Sequence, residues 1–290
     1  MTNSSISSTI KLVECPRDAM QGWDKFIATE QKIQYLNELL KVGFDVLDCG
    51  SFVSPKAIPQ MADTAKVISK LSMSNSSTEL LVIVANTRGA EEAVTFEQIH
   101  SLGFPFSLSP TFQLRNTNSS MEESFERVEA IQELCFKNKK QLVIYLSMGF
   151  GNPYGDNYRE DILLFWAEKM AQLNISVLSL ADTVGIAKPI QIEWAMQVLQ
   201  SQYPSIEIGV HLHASSNDWE AKLEAAYLSG CTRFDGALKG IGGCPMAQDE
   251  LVGNMDSELM IPYFKTKGML ATLNMEALAS CSKMAAQIFH

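Results

Sequence analysis

The chain has 290 residues, room for one large domain or two small ones, and its formal charge of −10 with a pI near 5.0 argues against a nucleic-acid or polyanion-binding surface. The longest apolar runs, such as Leu80–Ala85 and Leu142–Met148, are far too short to span a bilayer. Met1 to Thr9 is rich in Ser and Thr, lacks the apolar segment of a secretory leader, and reads as a short disordered lead-in.

From there, apolar runs alternate with helix-like segments. Strands are expected at Ile10–Cys15, Phe44–Gly50, Glu79–Ala85, Pro105–Ser109, Gln141–Ser147, Ser176–Ala181, Glu207–His211 and Arg233–Ala237. Several are apolar throughout, as parallel strands covered on both faces must be. The clearest helical periodicities are Thr29–Val42, Ser120–Asn138, Asp161–Leu173, Pro189–Gln202 and Asp218–Leu228. Ser119 and Ser120 ahead of Glu122 and Glu123 form an N-terminal cap with acid in the first turn. Pro189 fits a first helical turn, and Gly43 and Gly230 fit helix ends. Eight strands alternating with helices over about 250 residues is the arithmetic of an α/β fold of the (β/α)8 TIM-barrel type. The rival doubly wound sheet lacks its signals, since neither a Gly-x-Gly-x-x-Gly nor a Walker-type loop is present. The expected organisation is therefore a lead-in over 1–9, a barrel over 10–256 and a helical extension over 257–290. That tail is enriched in methionine (Met260, Met269, Met275, Met284, with Met255 just before it), which suits adaptable core packing or a subunit interface.

In such barrels the chemistry gathers on the loops that follow the strands. His211 and His213, two of only four histidines, close the seventh strand at the i, i+2 spacing that directs both imidazoles to one side. Of the other two, His100 lies in a helix-like stretch and His290 ends the chain. Arg17 and Asp18 follow strand one, Asp48 and Ser51 mark strand two, Tyr145 lies on strand five, and Asp182 and Thr183 follow strand six. Gly240, Gly242, Gly243 and Cys244 follow strand eight. Asp18 beside the two imidazoles makes a mixed oxygen and nitrogen set suited to Mg2+, Mn2+ or Zn2+. Asn254 offers a further carbonyl oxygen, or is a turn asparagine. Arg17 is a fixed charge for a developing oxyanion, or an ion-pair partner in the barrel mouth. Cys244, among glycines, is a candidate nucleophile or proton donor, whereas Cys15, Cys49, Cys135, Cys231 and Cys281 read as inert thiols of a reducing cytoplasm.

These same residues carry a family resemblance. Val13-Glu-Cys-Pro-Arg17-Asp18-Ala-Met-Gln21, Ser51-Phe-Val-Ser-Pro-Lys56 with Pro59-Gln-Met61, Ser179-Leu-Ala-Asp182-Thr183-Val-Gly185, His211-Leu-His213, and Gly-Gly-Cys244-Pro with Gly253-Asn254 occur in order across roughly residues 10–260. Together they resemble the 3-hydroxy-3-methylglutaryl-CoA lyases, within the metal-dependent lyase and aldolase barrels that also include isopropylmalate and homocitrate synthases. The resemblance implies that Asp18, His211, His213 and Asn254 hold a divalent metal, most simply Mg2+ or Mn2+, with His211 also counted among the catalytic groups. It implies that Arg17 stabilises the enolate of departing acetyl-CoA, that Cys244 gives it a proton, and that Asp48 stands where glutamate is usual. Asp182 would lie near the substrate hydroxyl, with Gln21, Ser51, Tyr145 and Thr183 around the acyl group.

The implied reaction is a retro-Claisen cleavage of an acyl-CoA to acetyl-CoA and acetoacetate. The implied protein is cytoplasmic and homo-oligomeric, a dimer being favoured, with no nucleic-acid or membrane partner. The departures are local. Gly22, Trp23 and Asp24 replace Asn-Glu-Lys, Ala214 replaces an aspartate, and Leu108-Ser109-Pro110 replaces Ala-Ser-Glu. A Claisen-type synthase or aldolase on a 2-oxo acid, a lyase for another 3-hydroxyacyl-CoA, and a catalytically silent barrel that binds a partner remain alternatives. The cysteine loop separates the lyase from the synthase reading.

Overall fold

A computed structural model describes residues 9–243 and 252–290. The expected lead-in, all but Thr9, and Cys244 lie outside the described residues. Eight strands, β1 (Lys11–Glu14), β2 (Val46–Ser51), β3 (Glu79–Ile83), β4 (Ile99–Ser107), β5 (Gln141–Ser147), β6 (Val177–Ala181), β7 (Glu207–His211) and β8 (Arg233–Gly236), close into a barrel in sequence order. All pairings are parallel, and β1 meets β8 in the register Lys11 to Arg233 through Glu14 to Gly236. This is the expected TIM barrel.

Alternation along the strands explains the layering. Val13, Cys15, Val46, Leu81, Ile83, Val143, Tyr145 and Val177 pack together inside the barrel. Their neighbours Leu12, Leu47, Leu80, Val82, Ile144, Leu178, Ile208 and Val210 face the helical shell. Two charges interrupt the interior. Arg233 and Asp235, i and i+2 on β8, are both only 2 % exposed. Gly209 makes room for the arginine, because a Cβ there would stand 2.9 Å from Arg233 Cδ.

The shell comprises α1 (Pro16–Gln21), α2 (Thr29–Leu39), α3 (Thr64–Ile68), α4 (Thr87–Ala93), α5 (Pro110–Thr117), α6 (Met121–Lys137), α7 (Glu160–Gln172), α8 (Pro189–Gln202), α9 (Trp219–Leu228), α10 (Ser257–Thr266) and α11 (Met275–Ile288). The expected cap of α6 is a reciprocal capping box between Ser120 and Glu123. Gly43 and Gly230 both have φ of +88°, a left-handed conformation that suits the ends of helices. Four short helices, α1, α3, α4 and α5, have too few turns for a hydrophobic period to show.

The fourth strand corrects its expectation. It begins at Ile99 rather than Pro105, and His100 lies on it rather than in a helix, exposed and 3.3 Å from Glu79. His100, Ser101 and Gly103 dilute the apolar signal. Gly103 answers to the interior, since a Cβ there would meet Ile83 Cδ1 at 2.6 Å and Tyr145 Cε2 at 2.9 Å.

The tail is helical. α10 is the helix that follows β8, and its Phe264 packs on Phe234 with ring centroids 4.9 Å apart. α11 lies on α2, with Asn274 N donating to Val42 O at 2.9 Å and Phe289 edge-on to Trp23 and Tyr35. Met255 and Met260 are buried in the chain's own core, Met269 and Met284 pack partly against it, and Met275 is 43 % exposed.

Candidate active site

The carboxyl ends of the strands open into a cavity lined by Arg17, Asp18, Gln21, Tyr145, Thr183, His211 and His213 on its polar side. Val53, Ile83, Ala85, Pro105 and Phe112 form its apolar side. Pro16 starts α1 immediately after β1, which turns Arg17 and Asp18 inward at the rim. Both are buried.

Arg17 is held between two carboxylates. Its Nε contacts Asp48 Oδ1 and Oδ2 at 3.1 and 3.0 Å, Nη2 contacts Oδ2 at 2.5 Å, and Nη1 reaches Asp18 Oδ1 at 2.9 Å. Burial alone would raise Asp18, but Arg17, both imidazoles and Asn254 outweigh it and hold that carboxylate at about 2. For Asp48 burial wins over Arg17, and its pKa rises to about 6.

One donor atom each from Asp18, His211 and His213 lies within 4.8 Å of the others. Both imidazoles have Nδ1 occupied. That of His211 is 3.3 Å from Asp235 Oδ2, and that of His213 is 2.8 Å from Val252 O. The Nε2 atoms are thereby left for a cation, the arrangement in which a carboxylate or carbonyl behind the ring fixes a ligating histidine. Burial, then the neighbouring His211, lowers His213 to about 4, so it is a neutral donor at pH 7. Burial opposes protonation of His211, but Asp235 and Asp18 prevail and raise its pKa.

Asn254 joins the set through a backbone bridge to His213. Its Nδ2 donates to Asp18 Oδ2 at 2.7 Å and to Ile241 O at 2.9 Å. Its Oδ1 is buried with no hydrogen-bond partner. A buried acceptor left unpaired beside a carboxylate and two imidazoles fits a bound divalent ion. Gly242 makes the arrangement possible. Its φ is +122°, and a Cβ there would strike Asn254 Nδ2 at 2.2 Å and Asp18 Oδ2 at 2.8 Å.

Gln21 Nε2 donates to Asp18 Oδ1 at 2.8 Å, and Thr183 Oγ1 accepts from Met148 N at 2.8 Å, both at the cavity wall. Besides Asn254, three described expected residues stand outside that wall. Asp48 lies beneath Arg17 and acts only through it. Asp182 is turned away, its Oδ2 2.9 Å from Lys222 Nζ and its Oδ1 accepting from Ala187 N at 3.0 Å. Ser51 borders a neighbouring cleft with Asn86, Arg88 and Glu92, its Oγ accepting from Val53 N.

Two contributors escaped the sequence reading. Asp235 backs His211, and Lys222 ties Asp182 to the carbonyls of Gly185 and His213 at 2.9 and 2.8 Å. A charged residue inside a buried strand and a lysine on the inner face of α9 were the available signals.

The chain matches the HMGL-like family model over residues 10–285. It is 32 % identical over 275 residues to the hydroxymethylglutaryl-CoA lyase YngG of Bacillus subtilis, covering 95 % of this chain and 91 % of that one. It is 27 % identical to a 3-hydroxy-3-isohexenylglutaryl-CoA/hydroxymethylglutaryl-CoA lyase of Pseudomonas aeruginosa, covering 96 % and 92 %. Among solved structures, an HMG-CoA lyase of Acinetobacter baumannii in complex with coenzyme A and 3-methylmalate superposes with a TM-score of 0.90 at 29 % identity, covering 100 % of this chain and 93 % of that one.

Proposed function

The chain belongs to the HMGL-like family, and on that premise we propose that it is a carbon–carbon lyase that cleaves 3-hydroxy-3-methylglutaryl-CoA to acetyl-CoA and acetoacetate. The observation that carries this reading is the rim constellation: Asp18, His211 and His213 within 4.8 Å of one another, the unpaired Oδ1 of Asn254, and Arg17 alongside.

Loss of the tertiary hydroxyl proton to solvent leaves an alkoxide that collapses to the ketone of acetoacetate. The C–C bond breaks, and its electron pair passes into the thioester of departing acetyl-CoA as an enolate, which then takes a proton at carbon. Asp18, His211, His213 and Asn254 would hold a divalent ion, Mg2+ or Mn2+, which would supply Lewis-acid charge toward the substrate oxygens. Arg17, held by Asp48 and Asp18, keeps a fixed positive charge at the cavity wall where the enolate oxygen develops. Cys244 is assigned the proton delivered to the enolate carbon, by resemblance to the family's cysteine loop. His211 commits one nitrogen to Asp235, so we assign it to the ligand set rather than to proton transfer. Gln21 and Tyr145 line the acyl end. Asp182 and Ser51, outside the wall, are assigned to rim architecture.

A second substrate reading has its own observation. The wall of Ile83, Ala85, Pro105 and Phe112 is apolar throughout, which suits a longer hydrocarbon branch on the same 3-hydroxyglutaryl-CoA skeleton. The test of both is acetoacetate release, or release of the matching 3-oxo acid, from methyl- and longer-alkyl-branched substrates with Mn2+ supplied. The lyase assignment fails if neither is cleaved.

We further read the protein as a cytoplasmic homo-oligomer, a dimer being favoured. Five described cysteines are unpaired and buried, and no described helix is long and apolar enough to cross a membrane. Light scattering checks the oligomer.

A further inference from the structure

Below the rim, His211 faces a second set of donors. Cys15, the last inward residue of the β1 turn, and Asp235 of β8 flank the ring from the barrel interior. One donor atom each from Cys15, His211 and Asp235 lies within 4.8 Å of the others, and all three residues are buried. His211 Nδ1 and Asp235 Oδ2 are 3.3 Å apart. Asp235 Oδ1 has no hydrogen bond, with the Arg233 guanidinium 3.9 Å away. The Cys15 thiol has only a long contact, 3.8 Å, to Val13 O.

We propose that Cys15, His211 and Asp235 form a second cation site that takes a thiophilic divalent ion such as Zn2+. The reasoning is one of donor chemistry. Asp18, Asn254 and the two imidazoles make a mixed oxygen and nitrogen set without sulfur, whereas Cys15, His211 and Asp235 add a thiolate, which shifts the preference to a thiophilic ion such as Zn2+. Bond lengths of about 2.0–2.3 Å to zinc put tetrahedral donors roughly 3.5 Å apart, so the nitrogen–oxygen pair already fits and the sulfur needs at most about an ångström of side-chain rotation. Asp235, Asp48 and Asp18 around Cys15 favour a cation, and Arg17 near Cys15 and Arg233 near Asp235 oppose it.

The thiol proton leaves to solvent as the ion binds. An imidazole that keeps one ring proton ligates through one nitrogen only. The upper and lower sets therefore compete for His211, Nε2 above and Nδ1 below. The lower site is an inhibitory one, filled by soft ions at the expense of the upper. The shared imidazole also gives the route in, because His211 borders the open cavity.

The test is a Co2+ titration of the metal-free full chain, read by absorption. A thiolate-to-cobalt charge-transfer band in the near ultraviolet is expected. It is lost in Cys15→Ser, retained in Cys244→Ser, and accompanied by release of Mn2+ from preloaded protein, followed by electron paramagnetic resonance. Absence of the band overturns the proposal. So does a band that survives Cys15→Ser or that vanishes only in Cys244→Ser. Cys15→Ala serves if the serine variant misfolds. None of these readouts depends on lyase turnover.

Discussion

Lys222 Nζ lies 2.9 Å from Asp182 Oδ2, and the two side chains are 2 % and 1 % exposed. The same ammonium reaches Gly185 O, His213 O and Asp218. One buried cation thus joins the loop after β6 to the loop after β7, which carries His213. Removing the lysine leaves a buried carboxylate unpaired, which typically costs about 3–5 kcal/mol. Lys222→Met is expected to lower urea stability by that order, and Lys222→Met with Asp182→Leu to recover much of it. Equal loss in single and double variants means the pair is not what holds the loops.

Glu14 gives the pH dependence of stability. Its carboxyl is buried completely, accepts from Leu238 N at 2.8 Å and Ser257 Oγ at 2.5 Å, and couples β1 to the start of α10. Burial raises its pKa from 4.5 to about 8, Ser257 and Leu238 opposing. The folded state therefore keeps a proton that the unfolded chain gives up. This contribution is fully present below pH 4.5 and is lost as pH rises to about 8, at about 1.4 kcal/mol per pH unit. Glu14→Gln cannot ionise in either state. It is expected to match the parent near pH 4 and to exceed it by a few kcal/mol, to order of magnitude, near pH 8. Parallel urea midpoints for the two proteins across that range would refute the assignment.

Asp235 sets the ring of His211 from behind. Loss of such a support typically costs about 10–100-fold in metal affinity. Asp235→Ala is expected to weaken Mn2+ binding by that factor in calorimetry, with the helical circular dichroism of the parent retained. Unchanged affinity in a folded variant would mean that Asp18 and His213 alone position the ion.

What the sequence made legible follows from signal length. β5 and β7 begin and end where expected, β5 around the apolar run Leu142–Leu146 and β7 as a short segment bounded by Glu207 and His211. β4 extends six residues ahead of its apolar signal because His100, Ser101 and Gly103 dilute that signal, Gly103 being required by the barrel interior. The His-x-His spacing and Arg17-Asp18 are local patterns, so the sequence offers Asp18, His211 and His213 as candidates, and the fold brings a donor atom of each within 4.8 Å of the others. Asp48 and Asp182 are visible in the sequence as residue types, and only the fold shows their carboxylates turned to Arg17 and Lys222. Asp235, Lys222 and Cys15 meet His211 and Asp182 only across the fold, from distant positions in sequence, so no spacing rule points to those contacts.

The remaining prediction separates ion binding from turnover. Asp18, His211, His213 and Asn254 gather among the described residues, and the proposed part of Cys244 is one proton delivered to the enolate carbon. A thiol with an ordinary pKa near 8.5 is mostly protonated at pH 7, so it can donate there. Loss of a positioned donor typically costs on the order of 10²–10⁴-fold in rate. Cys244→Ser is therefore expected to bind Mn2+ with the parent's affinity while kcat for acetoacetate release falls by that order. Arg17→Met should also lose kcat, but it frees Asp48 and Asp18 from their cation, so its Mn2+ affinity must change with it. A Cys244→Ser variant with parental kcat would remove the cysteine from the reaction and favour a Claisen-type synthase, which needs the ligand set and the arginine but no thiol.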